Sequence, residues 1–137
     1  MKKNFSNNQT IWSMHLKFIW TNRMRVHFEE ILQKPETEIT NIESTMYMSL
    51  YYGVMYVVVE YWEALELHDD KIDQLLSSPN KKLLCDYRNA SFHYNRKYFD
   101  KRFEKFFLEE STVNWILSLR NEFSRWFLEN LKSISDD

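Results

Sequence analysis

The chain has 137 residues, of which 44% are apolar and 17% aromatic, and it carries a formal net charge of −2. That length gives one domain with room for a real core, and that charge argues against a protein that coats nucleic acid through an overall positive field. One Gly and two Pro leave too few breaks for a strand-rich fold, so the expectation is a single all-α domain over residues 1–137, a four- to five-helix up-and-down bundle.

The opening residues 1–8 read as a polar lead-in without the apolar core of a secretory leader. A first helix is expected over residues 9–33, where Trp12, Leu16, Ile19, Trp20, Met24, Phe28, Ile31 and Leu32 recur at spacings of three and four. His15 and His27 lie in it as ordinary boundary histidines. Pro35 ends that helix, because it cannot donate the next backbone bond. Thr40 and Glu43 have the spacing of a capping box for a second helix over residues 42–67.

The middle of the second helix, residues 46–62, is apolar or aromatic all round. Such a helix must be covered on most sides, and the cluster Tyr51, Tyr52, Tyr56 and Trp62 reads as more than one core can absorb. That is an argument for self-association; a central helix of a monomer is the other reading. The uncharged run from 44 to 59 is 16 residues, short of the roughly 20 that span a bilayer, and the chain is read as soluble, with no membrane partner. Gly53 within this helix marks a close helix crossing.

Asp69 and Asp70 offer an N-cap to a short helix over residues 71–77, and Ser78 with Pro79 starts the next. A long helical segment is then expected over residues 86–106, its buried side carried by Tyr87, Phe92, Phe99, Phe103 and Phe106. A last helix over 113–133 repeats Trp115, Ile116, Leu119, Phe123, Trp126, Phe127 and Leu131. The single Cys85 excludes an internal disulfide and suits a reducing cytoplasm.

One stretch departs from a generic helical pattern: Arg88-Asn89-Ala90-Ser91-Phe92-His93. Arginine makes forked hydrogen bonds to phosphate oxygens, and the ordinary pKa of histidine suits proton transfer near neutrality. On a continuous helix Asn89 and His93 would share one face about 40° apart, with Arg88 about 140° from His93. One copy then makes an incomplete site, which two copies across a two-fold axis would complete. Between Asp86 and Lys105 six cations face three anions, so positive charge gathers beside the motif; a solvated helix face would give the same pattern. Glu60 and Glu63 could suggest a carboxylate metal site, but no Glu-x-x-His accompanies them, and no metal or cofactor is expected.

An all-helical domain of this size with Arg88, Asn89 and His93 in this order resembles the HEPN superfamily, the small helical domains of many prokaryotic toxins and antiviral ribonucleases. More faintly, it is similar to compact helical proteins carried on mobile gene cassettes. The resemblance implies a homodimer whose paired motifs line a cleft and cut RNA without metal. It implies that His93 acts as acid or base, that Arg88 binds the scissile phosphate and that Asn89 positions one of them, with Tyr94, Arg96 and Lys97 as RNA contacts. It also implies a possible antitoxin partner. The alternatives are a non-catalytic helical dimer that binds RNA, nucleotide or a partner protein, and a structural dimer with Arg88 tied to an acidic neighbour such as Asp86 and His93 packed in the core.

Overall fold

The computed structural model describes residues 2–93, 101, 102, 105 and 110–134. Five α-helices are described: α1 Lys2–Leu32, α2 Glu38–Ala64, α3 Asp70–Leu76, α4 Asn80–Phe92 and α5 Glu110–Asn130, with a 3-10 turn Leu131–Ser133 after the last. The fold is an all-α bundle.

Side-chain contacts fix the directions. Ser13, Thr21 and His27 of α1 meet Tyr61, Tyr51 and Tyr47 of α2, so these two helices run antiparallel. Lys81 and Phe92 of α4 meet Glu63 and Gly53, which sets α4 antiparallel to α2. Phe18 and Asn22 of α1 meet Phe127 and Arg120, so α5 runs against α1. The four long helices therefore alternate up and down.

The helix boundaries follow from local chemistry. Helix α1 begins at Lys2, so residues 2–8, expected as a polar lead-in, are its first two turns, and it stops at Leu32, three residues before Pro35. Thr37 caps α2: its hydroxyl accepts from the Thr40 N–H at 3.1 Å, and the Thr40 hydroxyl accepts from the Thr37 N–H at 2.8 Å. The capping box is thus Thr37 with Thr40, one turn before the Thr40 to Glu43 spacing expected, and Thr40 is inside the helix. Asp69 caps α3 by accepting from the N–H groups of Lys71 and Ile72, each at 3.1 Å. At the far end of α2, Glu66 sits in the left-handed region at φ 53°, where it lets the Leu67 N–H return to the Trp62 carbonyl.

The core is centred on α2. Trp62 is 1% exposed and lies edge-on to Phe123 and Trp126 with ring centroids at 5.7 and 5.1 Å. Met55, Val58 and Val59 are fully buried beside Leu84, Tyr87, Leu119 and Ile116. Tyr51 and Tyr52 are buried as well, within one chain. Tyr51, Tyr52 and Trp62 are thus covered by the single chain, and Tyr56 is half-buried beneath Arg88, so these rings do not by themselves require a second copy.

Among the described residues no helix is long and apolar enough to cross a membrane.

Candidate functional site

The motif lies at the C-terminal end of α4, which packs against α2. Helix α4 starts with Ser78, whose hydroxyl accepts from the Asn80 N–H at 3.2 Å, and with Pro79. It is pinned to α5 by Thr112, which donates to Asn80 Oδ1 at 2.9 Å. Leu84, Tyr87 and Ala90 form its buried stripe, spaced three apart. Tyr87 packs edge-on against Tyr52 at 5.5 Å, and its hydroxyl meets Ser49 at 3.2 Å.

Two ion pairs clamp α4 to α2. Lys81 meets Glu63, and Arg88 Nη1 donates to Glu60 Oε1 at 2.7 Å. Glu60 and Glu63, three apart on α2, thus each face a cation from α4. The Arg88 guanidinium also lies over the Tyr56 ring, 4.9 Å from its centroid, which adds a cation–π attraction. Its side chain is 25% exposed, while its Nε is buried without an acceptor among the described residues. The partner proposed from local spacing, Asp86, instead receives Lys82 at 2.9 Å.

Around Arg88 the surface is polar but not open. The Tyr56 hydroxyl contacts the Cys85 thiol; burial first, then that contact, pushes the phenol well above its ordinary pKa and keeps it protonated. Asn89 Nδ2 faces Cys85 Sγ at 3.8 Å, a weak donor contact. Asn89 therefore points back along its own helix.

The largest departure from expectation concerns His93. The segment expected to be one helix over residues 86–106 ends at Phe92, and His93 follows it with φ −104° and ψ 158°. The His93 N–H still donates to the Asn89 carbonyl at 3.0 Å, but the residue has left the helix, so the shared face of Asn89 and His93 is not formed. His93 is exposed and not part of the core. Phe92, expected on the buried side, is 52% exposed, and its ring lies over Gly53, where an added Cβ would collide with it. The close crossing expected at Gly53 is therefore present, and its partner is Phe92. Tyr94, Arg96 and Lys97, the expected RNA contacts, lie outside the described residues.

In this arrangement Arg88 is held by a carboxylate and an aromatic face, His93 is solvent-facing one turn further on, and Asn89 lies between them on the chain. Glu60 and Tyr56 are the members of the cluster that motif reading missed. The signal for Glu60 was weak: the sequence shows two acids three apart on α2 and two cations seven apart on α4, each pair on one helical face, without saying that the faces meet.

A second feature lies at the C-terminal end of α2, an open cleft of about 830 Å³ lined by Trp62, Glu63, Glu66, His68 and Asp73 among others. There Asp73 accepts from the Trp62 indole at 3.0 Å and from the Asp69 N–H at 3.1 Å, and faces His68 Nδ1 at 3.4 Å. None of the motif residues lines it. No family model, no curated protein and no solved structure matches this chain.

Proposed function

We propose that this chain is a metal-independent endoribonuclease of the HEPN kind, acting in the cytoplasm as a homodimer, with the Arg88–His93 end of α4 as its site. The observation that carries the reading is the break of α4 at Phe92: it frees an exposed imidazole just past a guanidinium fixed to the body of the fold. A fixed cation and an accessible titratable group next to each other are the two parts that phosphodiester chemistry needs.

In the proposed reaction Arg88 binds the non-bridging oxygens of the scissile phosphate. His93 takes the proton of the 2′-hydroxyl, or gives one to the leaving 5′-oxygen; with two copies, the two imidazoles divide these roles. The 2′-oxygen attacks phosphorus, the P–O5′ bond breaks, and the products are a 2′,3′-cyclic phosphate and a free 5′-hydroxyl. DNA lacks the attacking group and is left intact. A toxin or defence role, with an antitoxin restraining the site, accompanies this reading.

A second reading is supported by the Arg88–Glu60 pair. Glu60 already compensates the guanidinium, and a phosphate must displace or share it, which suits a dimer that binds RNA, nucleotide or a partner protein without cutting. Incubating purified protein and His93→Ala with mixed RNA in EDTA separates the two. Cutting by the parent alone supports catalysis; binding with equal inertness supports the module.

A further inference from the structure

Ten large hydrophobic side chains stand exposed among the described residues, and seven belong to the α1–α2 hairpin: Leu16, Ile19, Trp20, Leu32, Ile39, Ile42 and Met46. They are not scattered. On α1, Leu16, Ile19 and Trp20, with Arg23, fall on one stripe at about 100° per residue, opposite the buried stripe of Ile11, Met14, Phe18 and Thr21. On α2, Ile39, Ile42 and Met46 repeat at three and four, opposite the buried Met55, Val58 and Val59. Each outward stripe, Leu16 to Arg23 and Ile39 to Met46, covers about two turns, close to 10 Å of helix.

Charge distinguishes the two stripes. From residue 2 to residue 28 the chain holds five cations and no acid, and Lys17 lies over the Trp20 ring at 3.8 Å. Arg25 is taken up by Glu29 of its own helix, which leaves Lys17 and Arg23 beside the α1 stripe, while Glu38 and Glu43 flank the α2 stripe with no cation between them. The α1 face is apolar with a basic rim, and the α2 face is apolar with an acidic one. Like faces would set Lys17 and Arg23, or Glu38 and Glu43, against copies of themselves, which is repulsive. Unlike faces match in length, apolarity and sign.

We infer that a second copy of this chain occupies these faces, with the α1 stripe of each copy seated on the α2 stripe of the other. A two-fold axis makes both contacts at once, because such an interface pairs patch i with j and j with i. The seat adjoins the motif: α4 ends over Gly53, seven residues along α2 from Met46. The inference rests on the proposed function for there being two copies: a monomeric parent removes the dimer from both, a dimer that ignores the charge reversals removes this interface alone, and uncut RNA removes the nuclease reading alone.

The test is sedimentation equilibrium of the full chain, with circular dichroism melts as a folding control. The parent should dimerise. Lys17→Glu with Arg23→Glu, and separately Glu38→Lys with Glu43→Lys, should weaken self-association by about tenfold or more, as like charges then face each other. An equimolar mixture of the two reversed proteins should recover dimers, which misfolded variants could not do. A monomeric parent overturns the inference, whether these faces then bind anionic vesicles, RNA or nothing. So does a parent dimer that both reversals leave intact.

Discussion

On α2, the face that meets α5 is aromatic and buried, with Trp62 against Phe123 and Trp126, whereas the face that meets α4 is bordered by Lys81 and Arg88 on Glu63 and Glu60. The first seam draws its stability from buried area and close packing. The second also buries Leu84, Tyr87 and Ala90, and along its rim it carries partly exposed charge pairs, which contribute little to stability but keep cations and carboxylates at the surface, where a ligand can compete for them. The contrast separates a scaffold that resists change from a seam that can exchange partners.

Trp62→Ala attacks the scaffold directly. It should cost about 3–5 kcal/mol, since it removes the largest fully buried ring and leaves a cavity; denaturant titration measures it, and a loss below 1 kcal/mol would mean the core is centred elsewhere. Gly53→Leu comes next, at about 1–3 kcal/mol, because the new side chain must push the Phe92 ring off α2. Adding Phe92→Ala should recover much of that loss, and an unchanged loss would show that the glycine serves something other than this crossing.

Glu60→Gln sharpens the comparison from the other side. With Glu60 46% exposed, the ion pair should contribute no more than about 1 kcal/mol to folding. The freed guanidinium should bind a short RNA oligonucleotide more tightly, as read by fluorescence anisotropy; weaker binding would make Glu60 a positioning group and not a competitor. The smallest effect concerns Asp69. Burial raises its carboxyl pKa, but hydrogen bonds from Arg125 and from the Ile72 and Lys71 N–H groups outweigh it, holding the value below the ordinary 3.8. A depressed folded pKa adds stability that is present above the unfolded value and is lost as pH falls through the folded one. The melting temperature gap between the parent and Asp69→Asn should therefore narrow from pH 7 to pH 3; a gap that widens would reverse the sign.

The elements with strong local signals were legible. The spacing of apolar residues in α1 and α5, Pro35 after α1 and the aspartates before α3 all act within a few residues of where they are read. The capping box was displaced because Thr37-x-x-Thr40 uses a second hydroxyl where the usual pattern has Glu or Gln, while Thr40-x-x-Glu43 matched that pattern better. The end of α4 at Phe92 has no Gly or Pro beside it, and the aromatic spacing runs on through Phe99 and Phe103. At that end the Phe92 ring is seated on a glycine 39 positions earlier, a tertiary contact that no local window contains. The same holds for the site: Arg88 and His93 stood out by type and spacing, but Glu60 and Tyr56 join them only because α2 and α4 pack antiparallel. The coverage of α2 is open at the level of sequence for a related reason, since a central helix and an interface helix share one apolar pattern.

The proposed reaction, in which the guanidinium and imidazole at the end of α4 cut RNA through its own 2′-hydroxyl, leaves a chemical mark on the ends it forms. Mass spectrometry of an RNA oligonucleotide incubated with the purified protein in EDTA reads that mark. The parent should leave 2′,3′-cyclic phosphate ends, His93→Ala none, and Arg88→Lys very few, because an ammonium cannot make the forked contact. Uncut RNA with the parent, or cyclic ends that persist in His93→Ala, would rule the reaction out.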